Sequence, residues 1–275
     1  MIRPIHGVTT MIRFSRSLAP ALLFATVAAQ AAGLPDTGQD VCFSGDAADV
    51  LAPTNPGSVS ADAGTYPRQD CRFGRDPAAA AAKLAKVGAG AKGFDYTKIA
   101  NNGSVLAANA PLGEAAGDWA CTLDNVTGLT WEIKSAAPAS LRFSGHSYTW
   151  YDTTTTTNGG FEGFLGSNSC GGTLPGPLCN TRAFAAAVNG GALCSYTDWR
   201  LPTLRELLTL VYADGTIPTI EQEFFPTAPA APFWTAAPHA SDASNAWVAD
   251  FADGSTNALD KSRMNSVRLV RGGPF

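Results

Sequence analysis

Six cysteines, at positions 42, 71, 121, 170, 179 and 194, constrain this chain more than any other feature. They all follow an N-terminal stretch that has the form of an export signal. Arg3, Arg13 and Arg16 give it a basic start, Leu18–Ala29 an apolar centre broken only by Pro20 and Thr26, and Ala29-Gln30-Ala31 a small-x-small cleavage site. The apolar centre is shorter than the ~20 residues that a membrane-spanning helix needs. An exported chain with an even cysteine set is expected to form disulfides. A zinc site needs close C-x-x-C pairs, and even the nearest pair, Cys170 and Cys179, is too far apart for that. Six cysteines allow fifteen pairings. The expected set joins sequence neighbours as Cys42–Cys71 and Cys170–Cys179. It leaves Cys121–Cys194 to tie the start of a sheet to the residues before the main helix.

Composition narrows the function classes. Hydrophobic residues at 45% and charged residues at 15% can supply a core, and 28 glycines with 18 prolines favour strands joined by long loops over a helical bundle. Removing residues 1–31 removes three arginines and no acidic residue, so the net charge moves from −4 to −7. That balance excludes a nucleic-acid partner engaged through a basic face. No later segment is apolar enough to span a membrane.

Residues 32–115 are rich in Ala, Gly, Pro and Asp and read as an irregular extension without a core of its own. Within it, Asp76-Pro77 through Val87 and Gly88 fits either a short helix capped by Asp76 or a flexible alanine-rich connector. Order begins at Trp119. Trp119, Cys121 and Leu123 alternate with smaller or polar residues, Asp124–Gly128 forms a turn, and Leu129, Trp131 and Ile133 alternate again, which predicts a hairpin. Thr181 is expected to cap a short helix ending near Asn189-Gly190-Gly191. Thr203-Leu204-Arg205-Glu206 is a capping box that follows Pro202. Leu204, Leu207, Leu208 and Val211 then form a core-facing stripe. Thr219–Gln222 repeats the capping pattern more weakly ahead of Pro226. Strands are expected at Phe233–Ala236, Ala246–Phe251 and Val267–Arg271, with a turn at Ala252–Ser255. The fold class is α+β.

Several blocks together carry a resemblance. They are Asp124-Asn-Val-Thr-Gly-Leu-Thr-Trp-Glu, Cys194-Ser-Tyr-Thr-Asp-Trp-Arg-Leu-Pro-Thr-Leu-Arg-Glu-Leu, Phe233-Trp-Thr, Ala246-Trp-Val-Ala-Asp-Phe-Ala-Asp-Gly and Val267-Arg-Leu-Val-Arg-Gly-Gly. In this order they resemble the bacterial Lcl C-terminal domain family, named for the end of a collagen-like adhesin. The resemblance places such a domain at 116–275, behind a signal peptide (1–31) and the extension (32–115). It implies a C-type-lectin-like fold of short antiparallel strands, two or three short helices and long loops, similar to that of the formylglycine-generating enzyme. It also implies a binding or adhesion module of the cell envelope with a glycan or protein partner; the family's namesake is associated with sulfated glycans. A structural subunit of an envelope assembly is the alternative, and an enzyme of the formylglycine-generating kind the third.

The residues themselves point mostly to structure. Asp198, Trp199, Arg200, Pro202, Thr203 and Glu206 form the most specific block. There Arg200 suits a bidentate pair with Asp198 or Glu206. Only His146 and His239 remain once the signal is removed, and neither lies in a catalytic motif. The formylglycine-generating enzymes need a reactive cysteine pair near the C-terminus, and residues 195–275 contain no cysteine. No catalytic residue and no cofactor is therefore assigned. Asp242, Asn245, Asp250, Asp253 and Asn257 could offer oxygens to calcium. Without the sugar-coordinating triplets of calcium-dependent lectins they read as turn residues. For a ligand, the candidates are Trp247 as an aromatic platform and Lys261, Arg263 and Arg268 as a basic cluster. Alternation about Val267 and Leu269 is expected to turn Arg268 to solvent, and Arg271 to be held structurally.

Overall fold

A computed structural model describes residues 37–38, 42–43, 50–51, 74–176 and 178–273. Its elements are β1 (Cys42–Phe43), β2 (Val50–Leu51), α1 (Arg75–Ala80), β3 (Tyr96–Ala100), β4 (Trp119–Asp124), β5 (Thr130–Glu132), α2 (Thr181–Gly190), α3 (Leu204–Leu208), β6 (Pro232–Pro238), β7 (Asn245–Asp250), β8 (Thr256–Asp260) and β9 (Val270–Arg271). β1 and β2 form a small antiparallel ribbon. The remaining strands form two antiparallel sheets, ordered β3-β4-β5-β9 and β6-β7-β8. Short strands, three short helices and long loops make this an α+β fold.

The expected hairpin is β4 and β5. Its turn is held by Asp124, whose carboxylate accepts from the amides of Val126 (2.8 Å) and Thr127 (3.3 Å) and from the Thr127 hydroxyl (2.7 Å). Gly128 closes the turn at φ +74°, a backbone region that favours a residue without Cβ. β4 sends Cys121 into one apolar cluster, with Tyr148, Trp150, Phe184 and Trp234, and Trp119 into another, with Tyr96, Trp131, Phe224 and Phe233. The first sheet is therefore covered on both sides, and even Thr130 and Glu132 of β5 are buried.

Two of the expected disulfides are present. Cys121–Cys194 spans 73 positions and joins β4 to a short 3-10 turn at Leu193–Ser195, and Cys170–Cys179 closes a loop of nine. Cys71 lies outside the described residues, and with it the Cys42–Cys71 pairing; so does the leader 1–31.

Elsewhere the structure departs from expectation. The stretch read as an extension supplies β3, an edge strand of the main sheet, and buries Phe94, Tyr96 and Ile99 in the shared clusters. Of the two expected forms of that segment the helix is present, but it ends at Ala80, and Gly74 rather than Asp76 precedes it; the Asp76 carboxylate accepts from the Gly93 amide at 2.7 Å. α2 is capped by Asn180, one residue before Thr181, through an acceptor bond from the Ala183 amide at 2.8 Å. α3 stops at Leu208, which is exposed, whereas Leu207 is buried in the second cluster with Leu204 and Val211 packed against it, so only Leu208 leaves the expected stripe. The segment after Thr219 is not helical. There the Thr219 hydroxyl donates to the Phe251 carbonyl at 3.1 Å instead of capping a turn.

Glu221, in that same segment, is buried. One carboxylate oxygen accepts from the Ala91 amide at 2.7 Å and the other has no partner. Burial pushes its pKa up to about 7, opposed by that amide bond and by Lys86 and Lys98, and aided by Glu223. The unfolded chain releases the proton near the ordinary 4.5, so between 4.5 and 7 the folded state binds more protons. This group's contribution is therefore fully present below 4.5 and is lost as the pH rises through 7. Glu221→Gln should gain on the native protein by about 3 kcal/mol between roughly pH 5 and 8, at ~1.4 kcal/mol per unit. Urea unfolding of both proteins at the two pH values measures it, and a constant difference would refute it.

Candidate functional site

The most specific sequence block is a clamp whose polar groups are engaged with one another. Thr203 Oγ1 accepts from the Glu206 amide at 3.1 Å and Glu206 accepts from the Thr203 amide at 2.8 Å, which completes the capping box. The same Glu206 carboxylate takes both arms of the Arg200 guanidinium, at 2.7 and 2.8 Å. Burial alone would raise the Glu206 pKa; Arg200 and the Thr203 amide outweigh it and hold the carboxyl below its usual range. Arg200 also exchanges backbone bonds with Val270 at 3.0 and 2.9 Å. Trp199 is buried, with its amide donating to Asn189 Oδ1 (2.8 Å) and its indole N–H to the Leu193 carbonyl (3.1 Å). The carbonyl of Pro202 accepts from Ala236 at 2.7 Å. Asp198 pairs with Arg271 at 2.7 Å rather than with Arg200, and the Arg271 guanidinium lies 3.6 Å over the Tyr196 ring. The block thus ties α2, α3, β6 and β9 together.

The expected basic cluster is not a surface. Lys261 is fully buried, with Nζ donating to the carbonyls of Asn158 (2.9 Å) and Phe161 (2.7 Å) and lying 4.1 Å over the Trp150 ring. Arg268 is also fully buried, between the rings of Phe225 and Phe233, with Nη1 donating to the Glu132 carbonyl at 2.8 Å. Burial pushes its pKa down to about 10. Alternation misplaced Arg268 because β9 contains only Val270 and Arg271; Val267, Arg268, Leu269 and Val270 are all buried as the chain runs between the two apolar clusters. Of the four cations near the C-terminus, Arg263 alone is exposed without an ion pair among the described residues.

Trp247 differs from the other five tryptophans. Trp119, Trp131, Trp150, Trp199 and Trp234 are each at most 3% exposed, whereas Trp247 is half-buried on β7. Four of the buried indoles donate to backbone carbonyls, and the N–H of Trp131 has no partner. Trp247 pairs in register with Ala258 of β8. The His239 ring lies 5.4 Å away at 50°. Asn245 and Asp260, paired with each other, flank it at the next same-facing register position.

Of the residues weighed for calcium, the three aspartates accept local hydrogen bonds. Asp242 accepts from the Ser244 amide (3.0 Å), the Ser244 hydroxyl (2.7 Å) and the Asn245 side chain (2.9 Å); Asp250 accepts from Ala252 and Asp253 from Ser255, each at 2.9 Å. Gly254, at φ +77°, completes the β7–β8 turn. Among the described residues no three of His, Cys, Asp and Glu are grouped to hold a metal. His146 is buried, with Nε2 3.1 Å from the Ser140 carbonyl, and its ring meets Phe143 edge-on. Among the described residues no helix is long and apolar enough to cross a membrane.

The profile of the Lcl C-terminal domain matches residues 120–271. No curated protein matches the chain.

Proposed function

Since the chain belongs to the Lcl C-terminal domain family, we propose that it is an exported, non-catalytic binding module of the bacterial envelope, with Trp247 as the platform for a glycan ring. The observation that carries this is the partial exposure of Trp247 where every other tryptophan is buried. An indole face beside an alanine offers apolar area for the C–H face of a sugar, and His239, Asn245 and Asp260 surround it with hydrogen-bonding groups. The short strands and long loops support a C-type-lectin-like architecture, and the two disulfides support an oxidising compartment. Cys121, Cys170, Cys179 and Cys194 are all bonded, which speaks against thiol chemistry of the formylglycine-generating kind.

The charge arrangement favours an uncharged glycan. A chain at −7 after removal of residues 1–31 repels polyanions at long range, and with Lys261 and Arg268 buried the basic residues near the C-terminus do not offset this. On a glycan array the protein without its leader should retain a neutral saccharide. Trp247→Ala should weaken that binding at least tenfold, or about 1.4 kcal/mol, with Trp247→Phe intermediate and the melting temperatures matched. A heparin column should release the protein below roughly physiological salt, about 0.15 M. Equal binding by Trp247→Ala, or no saccharide bound at all, would leave an accessory role in an envelope assembly as the better account.

A further inference from the structure

Away from Trp247, an open cleft of about 450 Å³ lies beside the Cys121–Cys194 disulfide, within the usual size range of small-ligand sites. Its walls include Leu141, Val188 and Leu193. Its polar lining is Asn101, Glu114, Ser140 and Arg142, and the Arg142 side chain is only 5% exposed. One arm of that guanidinium donates to the carbonyls of Ile133 and Ala120, and the other pairs with Glu114 at 2.9 Å.

The two members of this pair are not equivalent. Arg142 is buried and needs a carboxylate, since a buried cation left alone is strongly destabilising. Glu114 is 48% exposed and can turn to water, keeping its hydration when it leaves. Behind Arg142 the interior carries further positive charge. Lys134 is buried 3.1 Å from Glu132, and Arg268 also acts on it. Arg142, Lys134 and Arg268 together face only Glu132 and Glu114, so one positive charge is in excess. Apolar walls ending at a buried guanidinium with a replaceable carboxylate fit one kind of ligand.

We propose that this cleft binds a small apolar monocarboxylate, whose carboxylate takes the place of Glu114 on Arg142 while its hydrocarbon part covers Leu141, Val188 and Leu193. The ligand exchanges one carboxylate for another, so Arg142 is never left without a counter-charge. The hydrocarbon part supplies the gain, by removing those apolar walls from water. The site is independent of Trp247 and of any glycan.

Calorimetric titration of the disulfide-bonded protein with octanoate, N-acetylleucine and octanamide tests this. Either acid should bind, with the tighter of the two showing whether a fatty-acid or a peptide-terminal carboxylate fits better, and octanamide should not. Glu114→Gln removes the internal competitor but leaves Arg142 without its counter-charge in the free protein, so its melting temperature should fall, the acid should restore it, and the acid should bind at least tenfold more tightly. Ala187→Phe, on the cleft wall, should abolish binding in both backgrounds. Arg142→Gln should abolish it too, but that variant can fail to fold, so the decision rests on the Glu114 and Ala187 variants. Binding of octanamide as strong as that of octanoate, unchanged or weaker binding in Glu114→Gln, or no binding of either acid would each overturn the proposal.

Discussion

Replacing Cys121 and Cys194 together with alanine is expected to lower the stability of the domain by about 4.5 kcal/mol, nearly twice the ~2.5 kcal/mol expected for Cys170 and Cys179. The difference follows from loop length. Closing 73 positions removes more freedom from the unfolded chain than closing nine, and the dependence is logarithmic. Burial does not separate the two bonds, because all four cysteines are fully buried in the cluster of Tyr148, Trp150 and Phe184. Urea unfolding of the two double variants, compared with the native protein, gives both values. If the short-loop variant proved the less stable of the two, the entropic ranking would be wrong for this protein.

Leu207→Ala is expected to cost about 2–5 kcal/mol, through lost burial and the cavity left behind. Leu207 is fully buried among the aromatic residues of the second cluster, and α3, at five residues, is too short to persist without that anchor. Neighbouring Leu208, which is exposed, supplies the internal control: Leu208→Ala should change stability by less than ~0.5 kcal/mol. A loss below ~1 kcal/mol for Leu207→Ala in denaturant unfolding would show that α3 is peripheral.

Local chemistry was legible wherever it decides local structure. The Asp124–Gly128 turn, the Thr203–Glu206 capping box and the pairing of Arg200 with a carboxylate each depend on residues a few positions apart, and each is present. The disulfides followed from nearest-neighbour logic and the elimination it allows. Illegible were features set by distant packing. β3 lies in a stretch that looks poor in apolar residues, because its Tyr96 and Ile99 are matched to aromatic and sulfur partners far along the chain. β8 is Thr-Asn-Ala-Leu-Asp, an edge strand with few buried positions, so it carries no hydrophobic signal. Lys261 and Arg268 mislead most, since charged residues are seldom fully buried. Their partners are carbonyls at Asn158, Phe161 and Glu132, and no sequence pattern announces those. Trp247 is set apart only by the burial of the other five tryptophans, which no sequence pattern shows.

The order β3-β4-β5-β9 has a consequence for how the protein is made. Its first sheet is completed by Val270 and Arg271, and Val267 and Val270 fill positions in the two different apolar clusters. A chain emerging in sequence order from the ribosome, or threading through a secretion channel, has at residue 200 neither its last strand nor the backbone partner of Arg200. Contacts this distant form late and as one event. Completion of both clusters is therefore expected only once about residue 271 is free, and a product truncated before that point is expected to leave them open to proteases and aggregation.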